Sequence, residues 1–249
     1  MKQYHVDFSA GEIGKYVILT GDPDRVEKIA LKLENAEKVA AKREFVSFNG
    51  YISGEKVTVL STGIGGPSAA IAVEEAIKCG AHTFIRVGTA GGMKLDVKGG
   101  DVVIAMSAVR QEGTSDHYAP KEYPATADYG VVSALVEAAK EKNYEYHVGV
   151  IQSKDSFYGQ HEPEKSPVCY ELLNKWDAYM ELGVLASEME CASIFTVAAS
   201  KGVRAGAVLS IMWNKDRRKL DMEDRDNFET DDAIDCAIKA MEILIDEDK

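Results

Sequence analysis

The stretch KYVILTGDPDR, residues 15–25, sets the pattern that decides the fold. Apart from Lys15, residues 15–20 are largely apolar and rich in strand-forming side chains, and Gly21 ends the run. Asp22 and Pro23 then stand in the order of a helix N-cap and a first helical residue. The stretch therefore predicts a buried strand, a glycine turn and a helix.

The same alternation continues along the chain. Strands are predicted at 57–62, 83–87, 102–105, 146–151 and 205–211, and helices at 67–78, 130–141, 188–200 and 232–245. Residues 157–170 lack periodicity and are expected to form a functional loop. The highly charged residues 213–227 are expected to be a mobile surface segment. Because strands alternate with helices, we expect an α/β fold with a largely buried sheet and a single domain over residues 1–249.

Composition excludes several classes of function. A net charge of −12 over 249 residues disfavours binding to nucleic acid, which depends on Lys and Arg. No segment has the pattern of a secretory signal or a membrane span, and the four cysteines form no C-x-x-C pair. The five histidines show no metal-ligand spacing. These features predict a cytoplasmic protein with no metal site readable from its histidines or cysteines.

Two segments combine an arginine with exposed backbone N–H groups, which is how proteins hold small oxyanions. Arg25 follows Gly21 at a helix N-terminus, and Arg86 lies inside an apolar run three residues before Thr89. Two alternatives stay open, namely a capped turn with a surface arginine and an Arg86 that pairs with a structural carboxylate. The glycine-rich segment 63–68 is either a close approach to a ligand or a structural turn, and it does not match a dinucleotide fingerprint.

The tripeptide Glu188-Met189-Glu190 offers carboxylates, which suit a sugar diol. Glu188 has an alternative role, because acidic residues are common in a first helical turn. An anion cradle together with a diol acceptor predicts a site that holds phosphate and a sugar at once, as phosphorolysis requires. A glycosidase carboxylate pair is the other interpretation, but nothing else in the sequence indicates a polysaccharide cleft.

These segments, at 21–29, 43–45, 61–68, 86–89, 113–120 and 188–190, resemble the nucleoside phosphorylases of the hexameric type, above all the bacterial uridine phosphorylases. The resemblance runs from about Tyr4 to Ile245. It implies a three-layer α/β/α domain with a central mixed, partly barrel-like sheet. It also implies a pentosyltransferase that cleaves uridine, deoxyuridine or thymidine reversibly with phosphate in pyrimidine salvage. A purine or broad-specificity phosphorylase is the alternative, followed by a nucleosidase, which would not need the arginines.

The resemblance also implies roles for individual residues. The catalytic residues would be Arg25, Arg86 and Glu190, and phosphate would be the co-substrate, with no other cofactor. The phosphate site would comprise Gly21, Arg25, Arg86 and Thr89, with Arg43 from a neighbouring subunit. The ribose site would comprise Glu188, Met189 and Glu190 with the neighbour's His5, and the base site Phe157, Gln160 and His161. Glu44, Ile64 and Ser68 would hold a potassium ion at the interface of a dimer, the active unit of a hexamer built as a trimer of dimers.

Two departures from the family pattern concern the base. Glu162 stands where uridine phosphorylases have an arginine, and an ionised carboxylate cannot donate to a uracil oxygen. Either His161, Lys154 or Lys165 replaces that donor, or the base is not uracil. Asn214 stands about where purine-specific relatives have an aspartate, and Asp216 comes two residues later. The sequence therefore matches neither specificity in full.

Overall fold

A computed structural model describes residues 1–249 and contains ten strands and eight helices. The strands are β1 Tyr16–Thr20, β2 Glu34–Lys42, β3 Phe45–Ile52, β4 Glu55–Ser61, β5 Thr83–Gly92, β6 Val102–Gln111, β7 Ala125–Thr126, β8 Tyr146–Lys154, β9 Ala186–Glu188 and β10 Arg204–Asn214. The helices are α1 Pro23–Ala30, α2 Gly66–Lys78, α3 Tyr129–Glu141, α4 Phe157–His161, α5 Cys169–Glu181, α6 Cys191–Lys201, α7 Lys215–Lys219 and α8 Asp231–Glu247.

All ten strands belong to one mixed sheet. Its order is β10-β6-β8-β9-β5-β1-β4-β3-β2, with β7 paired to β6. An additional pairing between β10 and β5 closes five of these strands into a barrel. In the open half, β1 lies parallel to both β4 and β5. The prediction of a single α/β domain with a mixed, partly barrel-like sheet is confirmed.

The strand–turn–helix unit at residues 15–25 forms as its chemistry dictates. Every residue of β1 is buried. The Asp22 carboxylate then accepts a hydrogen bond from the backbone N–H of Asp24 at 3.0 Å, and Pro23 opens α1. Val26, Ile29 and Ala30 bury the inner face of this helix. The unit therefore delivers Gly21 and the first turn of α1 to the carboxyl edge of the parallel strands, where ligands bind in α/β sheets.

Two expectations for the second half of the chain were wrong in detail. Glu188 ends the short strand β9 rather than opening a helix, and α6 begins only at Cys191. The segment expected to be a loop contains α4 and the start of α5, a helix that buries no side chain completely and therefore shows little periodicity.

None of the eight helices combines the length and apolar character that crossing a membrane requires.

The charged segment 213–227 is tied to the fold, contrary to expectation. β10 continues to Asn214, and α7 follows directly. The side chain of Asp224 is fully buried, accepts hydrogen bonds from the backbone N–H groups of Gly99 and Asn214, and pairs with Arg218 at 2.8 Å. The density of charge did not predict this attachment to the fold, because these charged side chains pair with one another and bind backbone N–H groups.

Candidate active site

A cavity of about 700 Å³ opens at the carboxyl ends of β1 and β5. Its wall contains nine of the residues predicted for the phosphate, ribose and base sites, and all three predicted for a cation: Gly21, Arg25, Arg86, Thr89, Phe157, His161, Glu188, Met189, Glu190, Glu44, Ile64 and Ser68. Gln160, His5 and Arg43 are the predicted residues that do not line it. The fold thus brings together side chains from distant segments of the sequence.

Arg86 lies at the centre of the cavity wall. It sits on β5, opposite Leu19 of β1 and Ala207 of β10, and is only 3% exposed. Its Nε donates to Glu188 at 3.2 Å, and its Nη2 donates to Glu190. Burial by itself would lower the pKa of Arg86, but the two carboxylates outweigh it and raise the pKa, so this side chain stays cationic.

One nitrogen of this guanidinium has no partner. Nη1 of Arg86 is buried without a hydrogen bond. A Cβ placed on Gly21 would lie 3.9 Å from that atom, so the unpaired donor faces the glycine turn before α1. A buried donor without an acceptor is costly and rare in native proteins. The arrangement therefore calls for an acceptor that enters the cavity beside Gly21.

A second arginine borders the same space. Arg25 donates through Nη1 to the Thr20 hydroxyl at 3.1 Å and forms no salt bridge with a carboxylate within 4.0 Å. Burial lowers the pKa of Arg25, Asp22 partly offsets this, and the positive charge of Arg86 lowers the pKa further. Two guanidinium groups near a helix N-terminus make this part of the cavity suited to an anion.

Glu188 holds the wall in place. Its carboxylate accepts hydrogen bonds from the backbone N–H groups of Glu190 and Cys191 at 2.9 and 3.0 Å, and from the Ser153 hydroxyl. Burial alone would raise the pKa of Glu188, but Arg86 and these donors lower it. Glu188 therefore caps the start of α6 from the end of β9 and anchors Arg86. The alternative that Arg86 pairs with a structural carboxylate thus describes part of its role, whereas Glu188 does not lie in a first helical turn.

Glu190 is placed differently. It accepts a hydrogen bond from the backbone N–H of Gly65 at 2.6 Å and another from Arg86, and it is 4% exposed. Burial and the neighbouring Glu188 carboxylate raise the pKa of Glu190, although Arg86 lowers it. Because Glu190 lines the cavity beside Met189, its carboxylate is available to the hydroxyl groups of a sugar.

The other end of the cavity is aromatic. The rings of Phe157 and His161 lie 4.2 Å apart, and that of Trp213 lies 6.0 Å from His161. Gln160 stands just behind this wall, and its Oε1 accepts a hydrogen bond from the Ser187 hydroxyl at 2.8 Å. Flat apolar walls of this kind suit a planar ring. No motif or spacing identified Trp213 or Ser187, because their orientation depends on the barrel.

Lys154 also lines this end, whereas Glu162 and Lys165 do not. Glu162 and Lys165 form an exposed ion pair at 2.7 Å. Asn214 is fully buried outside the cavity, where its amide donates to the carbonyl oxygens of Lys94 and Val97. Asp216 accepts a hydrogen bond from Trp176 and lies outside the cavity as well.

His5 and Arg43 lie away from their own cavity. His5 binds Glu75 through its backbone N–H at 3.0 Å and its Nδ1 at 2.7 Å. Burial would raise the pKa of Glu75, but the N–H groups of Val6 and His5 lower it. Arg43 is exposed, with a positive φ of 56°, in the turn between β2 and β3. Neither side chain can serve the cavity of its own chain in these positions.

The three residues predicted for a cation lie close together. The hydroxyl of Ser68 donates to the Glu44 carboxylate at 3.0 Å, and Ile64 is exposed beside them. Carboxylate and hydroxyl oxygens are ligands that hard cations prefer. No cluster of three or more His, Cys, Asp or Glu side chains is arranged to hold a metal ion.

The barrel-containing α/β sheet carries two guanidinium groups and a buried carboxylate at its carboxyl edge. This arrangement suits an enzyme that acts on an anion and a sugar. The family comparison agrees with this class. The model of the phosphorylase superfamily matches residues 15–246, and the chain belongs to that superfamily. The prediction that the chain is an enzyme resembling the nucleoside phosphorylases is confirmed.

Individual relatives cover most of the chain. It is 49% identical to the uridine phosphorylase of Treponema pallidum over 246 residues, which are 99% of this chain and 95% of that protein. It is 43% identical to the uridine phosphorylase of Thermococcus kodakarensis over 215 residues, 86% of this chain and 78% of that protein. It is 41% identical to the guanosine phosphorylase of Halorubrum lacusprofundi over 213 residues, 86% of this chain and 84% of that protein.

Proposed function

We propose that this protein catalyses the reversible phosphorolysis of uridine, and of deoxyuridine and thymidine, to the free base and the pentose 1-phosphate in pyrimidine salvage. The observation that carries the proposal is the unpaired, buried Nη1 of Arg86 beside Gly21. Water would not need this cationic pocket, so phosphate is the better co-substrate. The uridine phosphorylases at 49% and 43% identity support uridine as the nucleoside.

Phosphate would bind between Arg25 and Arg86, with the backbone at Gly21 and the Thr89 hydroxyl completing the site. The two guanidinium groups hold and orient it, which removes much of the entropic barrier to attack on C1′ of the sugar. Arg86 is the better fixed of the two, because Glu188 and Glu190 hold its other nitrogens.

The sugar would lie against Met189 and Glu190. Glu190 accepts hydrogen bonds from the 2′- and 3′-hydroxyls and places a carboxylate near the positive charge that develops on the sugar. As phosphate attacks, the C1′–N1 bond breaks and its electron pair moves onto the base. The base anion then gains the proton that hydrogen phosphate loses. Because phosphate attacks C1′ directly, no covalent enzyme intermediate is required.

The structure offers no carboxylic acid for a purine ring where the purine-specific relatives have one. Asn214 and Asp216 both lie outside the cavity, so neither can protonate a purine there. Uridine is therefore the first candidate. Guanosine is the second, since a relative at 41% identity is a guanosine phosphorylase.

The active unit is proposed to be a dimer, assembled into a hexamer as a trimer of dimers. This rests on His5 and Arg43, which the family resemblance places in a neighbour's site and which lie away from their own cavity. We also propose that Glu44, Ile64 and Ser68 bind a potassium ion at this interface, because their oxygen donors suit such an ion. A cytoplasmic location is proposed because all four cysteines are free.

The decisive experiment is release of free base from uridine, thymidine, inosine, guanosine and adenosine, each with and without phosphate. Phosphate-dependent release from uridine is the expected result. Release from guanosine alone would make the second candidate correct. Release that does not depend on phosphate would indicate a nucleosidase and overturn the proposal.

A further inference from the structure

A buried lysine faces the aromatic end of the cavity. Lys154 is the last residue of β8, is 6% exposed and lines the cavity. Its Nζ donates one hydrogen bond, to the Ser187 hydroxyl at 2.7 Å, and forms no salt bridge. An ammonium group carries three donors, so two remain for a ligand in the cavity.

The surroundings of Lys154 connect it to the base end. The Ser187 hydroxyl that accepts its hydrogen bond lies 2.8 Å from Oε1 of Gln160 and 2.6 Å from Oε1 of Gln152. Ser187 therefore accepts from Lys154 and donates to one of these amides. Burying an ammonium without a paired carboxylate is unfavourable unless a partner arrives. The network and the nearby His161 place this unpaired charge at the aromatic end of the cavity, which Phe157 and His161 line.

The other two candidate donors are placed less well. Lys165 is exposed, pairs with Glu162 and does not line the cavity. His161 lines the cavity, but burial and the positive charges of Lys154 and Lys215 lower its pKa, which favours the neutral imidazole. Only Lys154 presents a cation to this space.

We propose that Lys154 donates to a carbonyl oxygen of the departing base and stabilises its negative charge, in place of the arginine that Glu162 replaces. The proposal rests on the proposed function and deepens it. As the C1′–N1 electron pair moves into the ring, charge collects on the carbonyl oxygens. Lys154 donates a hydrogen bond there and stays protonated throughout. Substrates would then be nucleosides whose base leaves as a carbonyl-bearing anion, with uracil first.

This role has a pH signature. Burial lowers the pKa of Lys154 from 10.5 to about 8, against the opposing effect of Glu188 and Glu190. These two carboxylates and His161 are the titratable groups that face it. Since the protonated form is the active one, kcat/KM for uridine should fall as pH rises through about 8.

The test compares uridine with 5-fluorouridine at pH 6.5 and saturating phosphate, in wild type, Lys154→Met and the matched control Lys165→Met. Fluorine stabilises the base anion by itself. Lys154→Met should therefore lower kcat/KM for uridine by about 100-fold or more, as loss of a charge-stabilising donor does. The loss for 5-fluorouridine should be at least about tenfold smaller. KM for phosphate should not change, and Lys165→Met should match wild type.

Each outcome decides something different. If the wild-type protein shows no phosphate-dependent turnover of uridine, the proposed function is wrong, and so is this inference. If wild type is active and Lys154→Met loses kcat/KM equally for uridine and 5-fluorouridine, or loses none, only the role of Lys154 is overturned. Should Lys154→Met not fold, the wild-type pH profile decides by itself. A fall in kcat/KM for uridine near pH 8 supports the role of Lys154, and a kcat/KM that stays constant from pH 7 to 9 overturns it.

Discussion

Nη2 of Arg86 donates a hydrogen bond to the carboxylate of Glu190, and both side chains are almost completely buried. The residue proposed to bind phosphate is therefore bonded directly to the residue proposed to bind the sugar diol. Each fixes the orientation of the other, so the two substrates meet at a site whose charges are already arranged.

Replacing Arg86 by Gln should abolish phosphorolysis and also weaken the fold. The change leaves Glu188 and Glu190 buried without a cation, which typically costs about 3–5 kcal/mol of unfolding free energy. We expect at least a 1000-fold loss of kcat/KM, measured on protein that urea unfolding shows to be folded. Retained phosphorolysis with an unchanged phosphate requirement would contradict the assignment.

Replacing Arg25 by Gln should affect phosphate alone. Its one side-chain hydrogen bond, to Thr20, is dispensable, and it has no carboxylate that would be left unpaired. KM for phosphate should rise by about tenfold or more, as expected for a lost charge-assisted contact, while the urea midpoint stays close to that of wild type. An unchanged KM for phosphate would place the anion elsewhere.

Replacing Glu190 by Gln should discriminate between sugars. The amide keeps the shape but weakens acceptance from two hydroxyls and removes a negative charge. We expect kcat for uridine to fall by about 100-fold, and by clearly less for 2′-deoxyuridine, which lacks one of the hydroxyls. Equal losses for the two substrates would mean that Glu190 does not bind the 2′-hydroxyl.

Lys154 should make stability depend on pH. With a folded pKa of about 8 and an ordinary value of 10.5, the unfolded chain binds more protons between these pH values. The buried ammonium therefore lowers the free energy of unfolding by its full amount below pH 8, and this destabilisation disappears as pH rises towards 10.5. Lys154→Met should be more stable than wild type by up to about 3 kcal/mol at pH 7, and this difference should shrink by pH 10. Urea unfolding at both pH values measures it, and a difference that does not change with pH would contradict the lowered pKa.

Mixing two variants that bind phosphate weakly, assayed at a phosphate concentration well below the wild-type KM, tests the shared site. In a heterodimer of Arg25→Gln and Arg43→Ala subunits, one site keeps its own Arg25 and receives Arg43 from its partner. Random reassortment should then restore about one quarter of wild-type activity, because a two-fold interface pairs the subunits equivalently. Reassorted mixtures that are no more active than their parents at this phosphate concentration, or monomers that are active after dilution, would refute the shared site.

Much of the fold followed from local chemistry. The strand, glycine turn and capped helix at residues 15–25 form as their sequence predicts, since buried strands and N-caps depend on neighbouring residues. Arg86 drew attention for a similar reason, because an arginine inside an apolar strand needs a partner wherever the strand lies. By contrast, the start of the helix after Glu188 was misjudged, since periodicity cannot separate a short strand end from a first helical turn.

The sequence by itself therefore determined the α/β class, the glycine turns and the residue types of the proposed anion and sugar site. Only the tertiary structure decided which charges face the cavity. Lys154 lines it, Lys165 pairs outwards with Glu162, and Asn214 is buried behind the wall. The reason is physical: a side chain's direction and burial depend on the strands and helices packed around it, and closing the barrel sets those neighbours.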